Sequence, residues 1–289
     1  MLYFSLPNYF ENNVINNFFQ LLNKQNKDWF KTPVVFYNNS GQLPYLSWNG
    51  GINSNIGPGI YHYSMVDAAR TSMLPTCINC ANVLLEDYDF YDCQGQTMLE
   101  IFNNGSNILE ISSIPFKEKI QEKFPNYRYK FSKSADLITE FTPEILEAIG
   151  NCEDILYIGI PDKYSYNLEW LKQLKQKSKC EITVNPICNC NCKTIDTCLL
   201  HEHQNQIDYS ANQFLSQCNK CMDIFDFNSI ITIETILNTY YKLGFSHFTF
   251  THNYFKTADE WLSFYIQYFL KPEVHLEALK LFKATNGNI

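Results

Sequence analysis

Between residues 184 and 203 the chain reads VNPICNCNCKTIDTCLLHEH, which brings four cysteines and two histidines into twenty positions. Thiolate and imidazole are the side chains that grip soft and borderline metal ions. Cys188, Cys190 and Cys192 alternate, so a single extended loop cannot turn all three toward one ion without curling; Cys188 and Cys192 pair more readily on a turn or first helical coil. A second set, Cys218 and Cys221 in CNKC, follows about 30 residues later, and Cys93 in FYDCQGQ lies after an earlier apolar stretch. Four thiolates converging from three loops could hold tetrahedral zinc or a 4Fe-4S cluster. Zinc sites usually pair two C-x2-C knuckles and only Cys218/Cys221 makes one here, whereas a cluster accepts ligands at irregular spacing; the cluster is therefore the expectation, with zinc or no metal as the alternatives. Cys77, Cys80, Cys152 and Cys180 stand within or beside apolar elements and are expected to pack as small hydrophobes.

The groups around these thiols narrow the chemistry further. His201, Glu202 and His203 follow the cysteine loop. Exposed helical side chains are the plainer account of them, and His201 is the candidate for contacting substrate or moving a proton. HEH lacks the i, i+4 spacing of a zinc-protease helix. No Ser-His-Asp or Cys-His arrangement stands out, which speaks against hydrolysis. The C-x3-C-x2-C signature of radical S-adenosylmethionine enzymes is absent, because the position three beyond Cys192 is Ile195.

The whole chain sets bounds on partners. Its 289 residues carry a net charge of -8, and Arg70 and Arg128 are the only arginines, which disfavours an extensive nucleic-acid surface. KEKIQEK and KQLKQKSK read as solvated helix faces. No apolar run approaches the roughly 18 residues of a membrane helix. MLYFSLPNYFENN has no basic leader and no cleavage site, so the expectation is a soluble, cytoplasmic protein, where clustered cysteines favour metal binding over disulfides.

The elements that must position the thiols follow from periodicity. PNYFENNVINNFFQLLNKQ predicts an amphipathic helix, taken as an N-terminal extension over residues 1–30. TPVVFYNN predicts a strand, and a Gly/Asn/Pro/Ser-rich stretch over about 40–63 predicts a long loop or lid. From residue 73, strands and helices alternate: MLPTCINCANVLL, a helix over 94–104, ILEISS, PFKEKIQEKF, YRYKFSKS, TPEILEAIG capped by Thr142, DILYIGIP, NLEWLKQLKQKS, CEITVNP, SIITIETILNTYYKLG stopping at Gly244, HFTFTH, and a closing helix TADEWLSFYIQYFL. Six or seven such units imply a parallel sheet with crossover helices. A single-domain (β/α)8-type barrel is favoured over an open dinucleotide fold, since no G-x-G-x-x-G follows a strand. The cysteine loop then leaves the carboxyl end of CEITVNP, on the face where barrel enzymes build their sites.

Several stretches together carry a family resemblance: VLLEDYDFYDCQG, VNPICNCNC with Cys188 and Cys192, CNKC, the ending YKLGFSHFTFTHN…FYIQYFLKPE, and a WNGG loop at Trp48 to Gly51. From about residue 30 the chain resembles the collagenase-like peptidase family, the thirty-second of the unassigned class. That resemblance implies a barrel with a four-cysteine 4Fe-4S centre used in oxygen-independent hydroxylation of nucleobases or a quinone precursor. It implies Cys93, Cys188, Cys192 and Cys221 as ligands, with Cys190 and Cys218 in reserve, and a small-molecule or nucleobase substrate. Asn185, His201 and His252 are the expected pocket residues; His252 is the nearest group to the glycine-arginine ending that FTFTHN replaces. The competing expectation is a non-enzymatic barrel stapled by zinc or a cluster and binding a partner or small ligand.

Overall fold

The computed structural model describes residues 1–7, 10–25, 27–42, 48, 74–185, 200, 230–250 and 258–286. Its centre is a closed barrel of eight parallel strands in chain order. β1 (Leu2–Pro7) leads into α1 (Phe10–Lys24), and β2 (Val34–Gln42) comes next. β3 (Thr76–Cys80) is followed by a 3-10 turn (Asp87–Tyr91) and α2 (Cys93–Phe102). β4 (Ile108–Ile111), α3 (Ile114–Lys123), β5 (Arg128–Phe131), α4 (Pro143–Gly150) and β6 (Ile155–Gly159) keep the alternation. Two short helices, α5 (Asp162–Ser165) and α6 (Leu168–Gln173), lead to β7 (Cys180–Thr183). α7 runs as Ile233–Thr235, a π turn Ile236–Tyr240 and Tyr241–Leu243 before β8 (His247–Thr249). α8 (Ala258–Phe269) and α9 (His275–Asn286) complete the described chain.

Local chemistry explains the boundaries. Ser113, Thr142 and Thr232 each cap a helix by accepting a backbone N–H with the side-chain oxygen, which satisfies one of the donors that the first turn leaves unpaired. α7 stops at Gly244, whose φ of 102° is open to glycine and strained for other residues. Strand alternation then sorts the faces. Phe4 of β1 and Phe36 of β2 both turn outward onto Phe269 of α8, with ring centroids 4.9 and 5.1 Å away, and Phe19 of α1 joins them at 5.4 Å from Phe36. This aromatic layer between sheet and helices is the hydrophobic core; Tyr3 and Tyr37, one residue out of phase, face the barrel axis instead.

Two elements differ from the sequence expectation. Leu2–Pro7 is a barrel strand paired with both β2 and β8, so α1 is the first crossover helix rather than an extension outside the barrel. α9 follows the helix expected to close the chain, and Phe282 on it packs edge-on against Phe18 of α1 at 5.1 Å. β2 continues to Gln42 and so takes up the first three residues of the loop expected over 40–63. The rest of it lies outside the described residues except Trp48, which is buried, stacks on Phe90 and donates its indole N–H to the Asp89 carbonyl at 2.9 Å.

Candidate functional site at the carboxyl end of the barrel

Three strands carry a charged residue in the middle of an apolar run: Glu110 in ILEI, Lys130 in RYKF and Glu181 in CEIT. Alternation turns all three toward the axis. There the Lys130 ammonium pairs with Glu181 and lies 3.5 Å from Glu110 Oε2. The carboxylates find further partners, since Tyr37 donates its hydroxyl to Glu181 and Ser132 donates to Glu110 Oε1 at 2.7 Å. Burial works against the charge on Lys130, but the Glu110 and Glu181 carboxylates outweigh it and hold the ammonium above its ordinary pKa. The lysine is therefore a fixed cation rather than a free amine. One cation against two carboxylates leaves the cluster with a formal negative charge, softened by the two hydroxyl donors.

An aromatic floor lies toward the amino ends of the strands. Tyr3 stacks on His247 at 4.8 Å and 15°, and Tyr157 sits 4.8 Å from Tyr37 and 5.1 Å from His247. Burial lowers the pKa of His247, against the pull of Glu181, so its ring is neutral at neutral pH. Burial and the adjacent Glu181 raise Tyr37 well above the usual phenol range, and Tyr157 is pushed up to about 12 by the same two causes. Cys77 joins this interior: burial raises its thiol, Lys130 opposes, and Glu110 and Glu181 add to the rise. Cys77 is therefore a protonated thiol in a polar interior rather than a hydrophobic filler, whereas Cys80 and Cys180 do pack into the core.

Nearer the carboxyl ends, Lys133 Nζ bridges Asp162 Oδ1 at 2.7 Å and Thr183 Oγ1 at 3.0 Å. Lys133 is the most open of the charged groups of the interior, with a side-chain exposure of 28% against 12% for Asp162 and 13% for Glu110. Gly159 lets β6 pass close to this corner, because a Cβ there would stand 3.0 Å from the Lys133 backbone nitrogen. On the other side of the mouth, Ser5 Oγ and both polar atoms of the Asn38 amide are buried without a hydrogen-bond partner among the described residues.

Of the residues expected from the sequence, two are described. Asn185 is buried just beyond β7, and Cys93 is exposed as the first residue of α2, its thiol free of a disulfide. β3, which precedes Cys93, stands opposite β7 in the eight-strand ring, so Cys93 and the segment leaving β7 start from opposite sides of the mouth. Cys188, Cys190, Cys192, His201, Cys218, Cys221 and His252 lie outside the described residues. Among the described residues no group of three or more His, Cys, Asp or Glu side chains is arranged to hold a metal ion, and no described helix is long and apolar enough to cross a membrane. Sequence reasoning missed Tyr37, Glu110, Lys130, Lys133, Glu181 and His247. The available signal was the charge at an inward position of each of three short strands, Glu110 in ILEI, Lys130 in RYKF and Glu181 in CEIT.

Compared with protein-family models, curated proteins and solved structures, the chain matches none of them.

Proposed function

We propose that this barrel binds a small polar ligand at its carboxyl-end mouth, and that cysteines of the segment leaving β7 hold a 4Fe-4S cluster or zinc beside it. The reading rests above all on the polar lining at the ends of the strands: Lys133 and Asp162 partly open, Thr183 joined to them, and Lys130 with its carboxylates directly beneath. An interior of branched aliphatic layers is the usual filling of such a barrel, and charges cost too much to be placed there for stability alone. Lys133 would orient an acceptor group of the ligand, Asp162 a donor, and the Lys130 cluster would fix the field beneath them.

Cys188, Cys192 and Cys221, with Cys190 and Cys218 in reserve, are the proposed thiolates from that segment. Cys93 is exposed and unbridged as a ligand should be, but would have to meet them across the mouth. A bound cluster would supply one-electron transfer and a zinc ion Lewis acidity. Oxygen-independent hydroxylation, the activity suggested by the sequence resemblance, is the proposed reaction: a C–H bond would become C–OH with water as the oxygen source, two protons being released and two electrons passing to an external one-electron acceptor. Anaerobic purification with iron, sulfide and zinc analysis and a visible spectrum tests the metal. Cys192→Ser is expected to bleach the visible band and leave the circular-dichroism spectrum intact; a protein without iron, sulfide or zinc even after reconstitution overturns the metal.

One observation favours a second reading, a metal-stapled barrel that binds without catalysing. The deep groups are all paired or uncharged: Lys130 is a locked cation, His247 neutral and Cys77 a protonated thiol. One zinc per chain and unfolding by a chelator would favour that reading.

A further inference from the structure

The two sides of the barrel mouth differ in access. Thr183, Thr249, Ser5 and Asn38, on the β7–β8–β1–β2 side, are each 3% exposed or less. Solvent instead reaches the consecutive strand ends from β3 to β6. Asn79 is half-buried there, and the side chains of Glu110, Asp162 and Lys133 keep exposures of 13%, 12% and 28%. Asn79 and Glu110 are register partners on β3 and β4, and register partners share a face. Ser132, at the end of β5, donates to Glu110 Oε1 at 2.7 Å and is followed in the chain by Lys133, which pairs with Asp162 beyond β6. An arc of amide, carboxylate, ammonium and carboxylate thus meets water along half of the mouth.

Two groups of this arc keep hydrogen-bonding capacity that the fold does not use. Glu110 Oε1 accepts from Ser132, but Oε2 meets the Lys130 ammonium at 3.5 Å, outside the normal range of a hydrogen bond, because Lys130 lies closer to Glu181. Lys133 directs two of its three N–H bonds to Asp162 and Thr183, and the third has no acceptor among the described residues. The balance of charge marks the first of these groups again. Glu110, Glu181 and Asp162 stand against Lys130 and Lys133, which leaves one carboxylate in surplus, and Glu110 is the one without a close cation of its own. Both groups lie on the open side, so a ligand reaches them from solvent without entering the closed interior.

We infer that this arc binds a small zwitterion, an amino acid whose ammonium group donates to Glu110 Oε2 and whose carboxylate accepts the third N–H of Lys133. Each contact is a charge-assisted hydrogen bond to a group already held in place by its other partners. A simple anion would engage Lys133 and leave the surplus carboxylate uncompensated. A simple cation would engage Glu110 and leave the Lys133 donor unused. The inference rests on reading the mouth as a ligand site and assigns that ligand a chemical class.

Calorimetric titration of the full chain with glycine, β-alanine, γ-aminobutyrate and δ-aminovalerate, each beside the amine and the acid that lack one of its charges, tests it. At least one amino acid is expected to bind tenfold or more tighter than either of its single-charge analogues. Glu110→Gln and Lys133→Gln are each expected to weaken that binding at least tenfold while circular dichroism shows a folded barrel. Glu110→Gln should also remove the advantage of the amino acid over its acid analogue, and Lys133→Gln its advantage over the amine, a split that misfolding would not produce. Absence of binding by every amino acid, equal binding of a single-charge analogue, or variants that bind like the wild type would overturn the assignment. Amine or acid binding that shows no preference for the amino acid, yet is lost in the Glu110 or Lys133 variant, sinks the zwitterion and leaves the mouth as a ligand site. The metal stands or falls separately, on the iron, sulfide and zinc content of the same protein.

Discussion

Lys130→Met would leave Glu110 and Glu181 facing each other with no cation between them. Breaking a buried pair in this way costs about 3–5 kcal/mol, and urea unfolding at pH 7 is expected to show a loss of that size. A loss well below that range would mean the lysine serves packing alone. At this scale the sequence was partly legible. The cysteine-rich stretch advertises itself by composition, whereas Lys130 hides in a four-residue strand and acquires meaning only through Glu181, 51 positions away. Short-range pattern carries no trace of such a pair; the one local sign is that a lysine inside RYKF must either be exposed or find a carboxylate.

Glycines at two elements make sharper claims about backbone. Gly244→Ala places a side chain at a φ of 102°, and a loss of about 1 kcal/mol is expected in chemical denaturation. Gly95→Ala is a packing test: the added Cβ would fall 2.5 Å from the Trp48 ring on the first turn of α2, which is overpacking at about 1–3 kcal/mol, and the same variant should alter Trp fluorescence. The elements themselves were largely readable. β6 announces itself as a continuous apolar run, and α4 and α7 carry their caps and stops in the sequence. β1 was not legible, because LYFSLP is short, adjoins a strongly amphipathic helix, and is made a strand by partners elsewhere in the chain, Tyr3 pairing with His247. α9 escaped notice because HLEALKLFKATN mixes charges through its apolar positions and is held by Phe18 and its neighbours rather than by its own pattern.

The whole molecule should be sensitive to base. Burial pushes Cys80 and Cys180 up to about 12, with Glu110 adding to the rise at Cys80, and burial and Glu181 raise Tyr157 to the same range, from ordinary values of 9.0 for the thiols and 10.0 for the phenol. In the folded chain these groups keep protons that the unfolded chain would release. Their contribution to stability is therefore complete below about pH 9 and is lost as pH rises through the folded values, at up to about 1.4 kcal/mol per pH unit for each group. Urea midpoints measured between pH 8 and 11 are expected to fall steadily, and a flat profile would show that the barrel interior opens to solvent without unfolding.

Closure of the ring has a consequence for biosynthesis. The hydrogen bonds that seal the barrel include Tyr3 N–H to the Ser246 carbonyl and Phe250 N–H to the Ser5 carbonyl, so the first strand of the ring must wait for the last. Throughout translation the outer edge of β1 is a row of amide and carbonyl groups with nothing to pair with, and a ribosome that stalls before β8 emerges would release a sticky, half-built cylinder. Truncated nascent chains ending short of residue 247 are thus the forms of this protein that chaperones would be called on to shield.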